Sequence, residues 1–179
     1  MSSMLRKMIL AMDLDGCIGK DDGLPWRLRA DMLRFKRLTI GEGNSAVLMG
    51  RTTWETIPEI YRPLVERINI VVTRNKEYTL DDAEVFYSIE DGIKHARSKN
   101  CDECWIIGGA NVYEQCRDMV DEVHLTSVET SNSGDVRVDL FGEQWILAGK
   151  LLQAITLLSM VKFVSGTLSY ILILRNKQR

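Results

Sequence analysis

Short β-type runs recur along the chain at 8–12, 46–49, 68–73, 84–87, 103–107 and 122–128. Between several of them, helix-like segments occupy roughly 27–39, 52–57, 88–98 and 110–117. Strands alternating with helices predict an α/β sheet with helices packed on its faces. From about 145 to 174 no comparable helix intervenes, so the sheet is expected to finish with antiparallel strands. No repeat, low-complexity tract or proline- and serine-rich linker breaks the pattern, which predicts a single domain over 1–179.

Glycine marks three places. Gly50 follows the run at 46–49, and Gly108 and Gly109 follow the run at 103–107; a helix-like segment comes next in both. Ligands of open α/β sheets sit at the carboxyl ends of strands, where helix N-termini present free backbone N–H groups. The third place is a loop with Gly16, Gly19 and Gly23, too rich in glycine to be rigid by itself. Turn glycines are common, and neither a G-x-G-x-x-G nor a Walker A sequence is present, so the glycines alone name no ligand.

One helix carries an acid inside its apolar stripe. After Pro25, which suits a first-turn position, Leu28, Met32, Phe35 and Leu38 recur at helical spacing, and Asp31 lies among them. Arg27, Arg29, Arg34, Lys36 and Arg37 are expected mostly on the remaining surface. A carboxylate on a buried face is costly unless it is paired or hydrogen-bonded. Two readings stand level: a residue that caps a neighbouring loop or pairs with a core arginine, and an acid in an apolar pocket that binds a cationic or donor-rich ligand. Burial would raise its pKa, and a cationic partner would lower it again. Trp26 is either a core aromatic or a bulky neighbour with one N–H to donate.

Composition narrows the class. Of 179 residues, 45% are apolar and 27% charged, a globular balance. Acidic residues number 25 and basic residues 23, so a net charge of −2 supplies no footprint for non-specific nucleic-acid binding. The apolar run near the N-terminus is too short for a signal-peptide core, and a cytoplasmic protein is expected. The stretch 151–174 is almost purely apolar, with Lys162 its only charge. A spanning helix needs about 20 such residues. Lys162 divides the run, however, and Ser159, Ser165, Gly166 and Ser169 punctuate it, which favours buried terminal strands over a membrane-associated tail.

Cysteines stand at 17, 101, 104 and 116. Cys101 and Cys104 have the C-x-x-C spacing of a zinc knuckle or redox pair, yet no second close pair exists, and His95, Cys116 and His124 would complete a site only by irregular spacing. The motif leads into a β-type run instead of opening a helix. Reduced, unpaired thiols are the favoured reading, with no metal.

An ordered series of motifs over about 8–128 closely resembles dihydrofolate reductase. It comprises Ala11-x-Asp13, Gly16-x-Ile18-Gly19, and Leu24-Pro25-Trp26 with Asp31 and Phe35. It continues through Met49-Gly50-Arg51-Thr52-Thr53-Trp54-Glu55, Arg62-Pro63-Leu64 with Arg67, and Val71-Val72-Thr73-Arg74-Asn75. It ends with Ile107-Gly108-Gly109-Ala110-x-Val112-Tyr113 and Asp121-Glu122-x-x-Leu125-Thr126. Each motif is weak alone; their order and spacing together are specific.

The resemblance implies a mixed, mostly parallel central sheet with flanking helices and an antiparallel C-terminal strand pair. It implies a monomeric, cytoplasmic reductase that passes a hydride from NADPH to C6 of dihydrofolate while N5 gains a proton, in one-carbon and thymidylate metabolism. Asp31 would hold the pterin through its N3 and 2-amino groups, Thr126 would share that polar network, and Trp26 would order its water. Met32, Phe35, Ile57 and Leu64 would line the apolar walls, with Ile9, Ile107 and Tyr113 also on the substrate side. Arg67 would clamp the α-carboxylate of the glutamate tail. Ala11, Ile18 and Gly19 would line the nicotinamide, under a mobile lid from about 16 to 24. Gly50, Arg51, Thr52 and Thr53 would meet the phosphates, and Thr73, Arg74 and Asn75 the adenosine end, with Arg51 and Arg74 favouring NADPH over NADH. Gly108 and Gly109 would form a cis peptide beside the pyrophosphate, followed by Ala110, Asn111 and Val112 on the cofactor side.

The chain departs from the family pattern in two places. Asn111 stands where many members carry a basic residue, and 134–138 lacks the threonine, aromatic and proline usual in that loop. Asp13 and Asp15 read as turn residues and Glu122 as a solvated strand end. The alternatives are a same-fold pyrimidine reductase of riboflavin synthesis and a non-catalytic binding protein that has kept the fold. Neither nucleic acid nor membrane is expected as a partner.

Overall fold

Six parallel strands form most of the central sheet, and the alternation of their side chains creates two cores, one on each face. The computed structural model describes residues 4–21, 23–26, 28–129, 134–140, 145–147 and 169–176. In chain order the elements are β1 (Leu5–Asp13), β2 (Cys17–Gly19), α1 (Arg29–Ile40), β3 (Ser45–Gly50), α2 (Arg51–Thr56), β4 (Ile68–Val72) and β5 (Glu84–Phe86). They continue with α3 (Ile89–Ser98), β6 (Glu103–Gly108), α4 (Ala110–Cys116), β7 (Glu122–Val128), β8 (Val136–Arg137), β9 (Trp145–Leu147) and β10 (Ser169–Asn176). The sheet runs β5-β4-β3-β6-β1-β7-β10-β9 and is parallel as far as β7. β10 then pairs antiparallel with both β7 and β9, closing the sheet with the expected antiparallel pair.

Successive residues of a strand face opposite sides of a sheet. Met8, Leu10, Leu48, Ile70, Cys104, Ile106, Val123 and Leu125 therefore join one core, with Ile93 of α3 and Val112 and Tyr113 of α4. Ile9, Val47, Met49, Val71 and Trp105 join the other, where Trp54 of α2 is buried and Phe35 and Leu38 of α1 pack. Ser88 caps α3 by accepting from the Asp91 amide at 3.1 Å, so that helix starts where its polar cap stands.

The alternating strand–helix pattern predicted these elements with small boundary shifts, and four details are corrected. The glycine-rich loop contains a strand: β2 pairs antiparallel with β8 in a separate two-stranded ribbon. Arg34 is not a surface cation, since its side chain is only 10% exposed. Met32, expected in the buried stripe of α1, is 52% exposed. Glu122 is not a solvated strand end; it is half-buried among Lys7, His124 and Arg175. Asp13 does shape a turn, its Oδ1 accepting from the amides of Asp15 and Cys17 at 2.9 and 2.8 Å, and it is buried.

All four cysteines are buried free thiols, and burial pushes both Cys104 and Cys116 up to about 12. Among the described residues, no helix is long and apolar enough to cross a membrane. Of the apolar stretch 151–174, the part up to 168 lies outside the described residues; its remainder is in β10.

Candidate active site

The carboxyl ends of β1, β3, β6 and β7 bring the candidate residues to one edge. Ala11 lies beside Thr126 in the β1–β7 register, and Met49 beside Gly108 in the β3–β6 register. α1 crosses the sheet face that carries Ile9, Trp105 and Ile107. Its first turn places Asp31 over β7, where Oδ1 accepts from the Thr126 hydroxyl at 2.5 Å. Thr126 is 3% exposed, so its hydroxyl is committed to this acid. Burial pushes the Asp31 carboxyl above the usual aspartate range, while the Thr126 hydrogen bond and the Arg34 charge pull it down. Trp26 contributes a buried Nε1 that has no hydrogen-bond partner among the described residues.

An apolar wall continues from this acid. Phe35, Leu38, Ile57, Leu64 and Ile107 are partly buried against the core of Ile9, Val47, Met49, Trp54 and Trp105. Arg67 closes its far end: Nη1 donates to the Thr39 hydroxyl at 2.7 Å, Nε donates to the Val65 carbonyl at 3.0 Å, and the guanidinium lies 6.0 Å from the Phe35 ring centre. Asn69 sets the loop that carries Arg67, its Oδ1 accepting from Leu64 N and its Nδ2 donating to the carbonyls of Leu64 and Arg67, each at 2.9 Å. Thr39 and Asn69 were missed in the sequence; a buried polar residue inside an apolar helix face or strand was the available signal.

Tyr113 comes within electrostatic reach of Asp31 from the opposite side of the sheet. It packs in the other core, and its hydroxyl crosses to donate to the Ile9 carbonyl at 2.8 Å. Ile18 also lies in that core, with Val138 and Leu140. The two sides meet at Gly108, whose peptide to Gly109 is cis. Gly108 has φ +127, and a side chain there would meet the Tyr113 hydroxyl; one at Gly109 would stand 3.0 Å from Thr53 Oγ1. At Gly50 a Cβ would press on Val112 Cγ2 at 3.2 Å. Three neighbouring glycines thus let α2, α4 and the ends of β3 and β6 pack closely.

Beyond these glycines several of the expected cofactor residues are exposed. Arg51 begins α2, pairs with Glu55 at 3.4 Å and lies 5.8 Å from the Tyr78 ring centre. Thr52 follows it and is exposed, with Thr53 half-buried. Thr73 Oγ1 accepts from Asn75 N at 3.2 Å, shaping the turn after β4 that exposes Arg74 and Asn75. Asn111 is exposed and bonded through Oδ1 to Gln115 of its own helix, while Ala110 is half-buried. Gly19 is buried in β2. The arrangement places a carboxylate in the first turn of α1 and an arginine against Thr39 and Phe35 of the same helix, with partly buried apolar side chains on the same sheet face.

Known proteins resemble this chain in sequence and in fold. The family model described as "Dihydrofolate reductase" matches residues 6–153. A dihydrofolate reductase of Mycobacterium leprae is 36% identical over 142 residues, covering 78% of this chain and 83% of that protein. A type 3 dihydrofolate reductase of Salmonella typhimurium is 37% identical over 132 residues, covering 74% and 76%. A solved dihydrofolate reductase of Enterococcus faecalis, complexed with NADP(H) and RAB-propyl, superposes with a TM-score of 0.77 at 24% identity, covering 96% of each chain.

Proposed function

The chain belongs to the dihydrofolate reductase family, and from that premise we propose that it reduces 7,8-dihydrofolate to 5,6,7,8-tetrahydrofolate with NADPH. The observation that carries the reading is Asp31, a half-buried carboxylate on an apolar helix face, bonded to a buried threonine and open to a donor-rich ligand. A pterin ring offers two adjacent N–H donors, which is what such a carboxylate lacks. The relatives described above are dihydrofolate reductases, which disfavours the pyrimidine reductase and non-catalytic alternatives.

In this reading Asp31 binds the pterin through N3 and the 2-amino group and promotes N5 protonation. Thr126 fixes the rotamer of that carboxylate by donating to Oδ1, so the acid is oriented before substrate arrives. Trp26 presents its buried N–H to the same neighbourhood and positions a water for the proton transfer. Phe35, Ile57 and Leu64 exclude water from the ring and the p-aminobenzoyl group, and Met32 flanks them from its exposed position. Arg67, braced by Thr39 and Val65 O, takes the α-carboxylate of the glutamate tail.

The glycine edge fits a dinucleotide, since the strand ends and helix starts pack closely there: a Cβ at Gly50 would press on the Val112 side chain and one at Gly109 on Thr53 Oγ1. Gly50, Arg51, Thr52, Thr53, Gly108, Gly109, Ala110, Asn111 and Val112 would hold the phosphates; Thr73, Arg74 and Asn75 the adenosine end; Ala11, Ile18 and Gly19 the nicotinamide. When bound, NADPH supplies the hydride for C6. We take 1–179 as one domain and a cytoplasmic monomer as its form.

The test is NADPH oxidation followed at 340 nm with dihydrofolate against the ribosylamino-pyrimidinone of riboflavin synthesis. Turnover of dihydrofolate alone is expected; no turnover by folded protein would overturn the reading.

A further inference from the structure

Arg34 stands three residues after Asp31 on α1 and faces the sheet. His124 and Thr126, two apart on β7, lie on one sheet face and meet those two helix positions. Thr126 bonds Asp31, and His124 Nδ1 lies 3.4 Å from Nη2 of Arg34. A guanidinium has only donors, so Nδ1 accepts and the ring proton resides on Nε2. That nitrogen lies 3.5 Å from Glu122 Oε2, and the ring packs edge-on against Trp105 with centres 4.9 Å apart. On its other side the guanidinium forms an ion pair with Asp31, Nη1 standing 3.8 Å from Oδ1; this nitrogen is buried and has no hydrogen-bond partner among the described residues. The result is a directed chain across one face of the sheet, from Glu122 through His124 and Arg34 to Asp31.

We propose that Arg34, seated on the neutral imidazole of His124, is a positioning residue that holds the Asp31 carboxylate ionised and in place for the reaction. Its catalytic meaning rests on the reading of Asp31 given above. The physical need is plain: Thr126 gives Asp31 one neutral hydrogen bond, which does not offset the loss of water around a full charge. The guanidinium supplies the opposite charge, and its long stem would turn to solvent unless something inside accepted it. His124 is that acceptor, 6% exposed and neutral. Burial lowers the pKa of its ring, Arg34 and Lys7 lower it further, and Glu122 opposes them. Glu122, paired also with Lys7 of β1 and Arg175 of β10, polarises the Nε2–H and so strengthens the acceptor at Nδ1.

The groups facing each member are few. Asp31 faces Arg34 and Thr126 and lies within electrostatic reach of the Tyr113 hydroxyl on α4. Arg34 also feels Arg37 on its own helix. His124 faces Glu122, Lys7 and Arg34, and its antiparallel neighbour on β10 is the apolar Ile173.

The test follows Asp31 directly, in ligand-free protein carrying 13Cγ-aspartate, with Asp31→Asn assigning the signal. In Arg34→Leu the Asp31 midpoint should move to higher pH, and Arg34→Lys should restore most of the displacement. His124→Phe keeps a ring on Trp105 without an acceptor, and should move the midpoint in the same direction. In the same variants the acid-side loss of kcat/KM for dihydrofolate should move upward in parallel. An unmoved Asp31 midpoint in Arg34→Leu overturns the proposal, as does an unmoved midpoint in His124→Phe should the leucine variant fail to fold. Absence of wild-type turnover would strike the functional reading alone, because the titration requires no substrate.

Discussion

Arg67 reaches into the helix α1 through Thr39. Its Nη1 donates to the Thr39 hydroxyl at 2.7 Å, and that hydroxyl donates at 2.8 Å to the carbonyl of Phe35 one turn earlier. The threonine is fully buried, so one hydroxyl both satisfies a helix carbonyl and braces a cation at the end of the apolar wall. An arginine held this way presents a pre-oriented fork, and little rotamer entropy remains to be lost when a carboxylate arrives.

Thr39→Val keeps the shape and removes the hydroxyl. A hydrogen bond to a charged group contributes about 1.5–3 kcal/mol, so KM for dihydrofolate should rise roughly ten- to a hundred-and-fiftyfold with kcat little changed. A dihydropterin without a glutamate tail should show no such rise. Steady-state kinetics with the two substrates checks this; an equal rise for both would mean that Thr39 acts through the fold and not through Arg67.

Asp31→Asn should leave a folded protein whose turnover at neutral pH falls on the order of a hundredfold or more, the usual scale for loss of a group that manages a proton. The stability effect has the opposite sign. Burial, the largest influence, raises the Asp31 pKa above its unfolded value, so the folded state binds more protons there and loses stability as pH rises through the folded pKa. At neutral pH the ionised acid is therefore a burden on the ligand-free fold, and the amide should raise Tm. Thermal melts at pH 4 and pH 7 check the sign: the gain should be present at pH 7 and shrink at pH 4.

The strand–helix alternation was legible in the sequence because each strand is a short apolar run and each helix on the sheet repeats at helical spacing. Asp31 was legible as an anomaly for the same reason, since it interrupts a stripe. The partners of these residues were not. Arg34 reads as surface because it is charged, and only the placement of α1 over His124 shows why it turns inward. Thr39 and Glu122 act through atoms distant in sequence, and Asn69 through backbone atoms of a loop; pairing of either kind leaves no local periodicity. The ribbon of β2 and β8 was hidden because its strands are short and its pairing joins segments far apart.

Glu122 is a second pH-dependent site, with the sign reversed. His124, whose Nε2 faces it at 3.5 Å, then the Lys7 and Arg175 charges, bring its carboxyl down to about 2 against the opposing effect of burial. A depressed pKa contributes stability above the unfolded value, near 4.5, that is lost as pH falls toward 2. Glu122→Gln should therefore cost about 1–2 kcal/mol at pH 7, discounted for the water that reaches a half-buried pair. The cost should vanish near pH 2. Denaturant unfolding across this range checks the prediction, and a cost independent of pH would assign Glu122 a packing role instead.

The ribbon carries the last prediction. The segment after Gly134 lacks the threonine, aromatic and proline that the family pattern leads one to expect, yet it still braces the glycine-rich loop through one backbone bond and one arginine side chain. Val138 N donates to Gly16 O at 2.9 Å, and Arg137 Nη1 donates to Asp15 O at 2.9 Å. Both contacts need close approach of the two segments. At Gly134 the approach is closest: a Cβ would overlap Cys17 Sγ and stand 2.5 Å from the Gly19 carbonyl oxygen. Gly134→Ala must therefore push β8 off β2 or shift Cys17 within the core. The main sheet does not include either strand, so the loss of Tm should be small. The loop that would cover the nicotinamide loses its brace, and kcat should fall on the order of ten- to a hundredfold, the scale of a misplacement of about 1 Å at the reacting atoms. Hydrogen exchange should rise at the Val138 amide with little change in β1 and β6. Unchanged exchange at Val138 together with wild-type kcat would show that the loop holds its place without the ribbon.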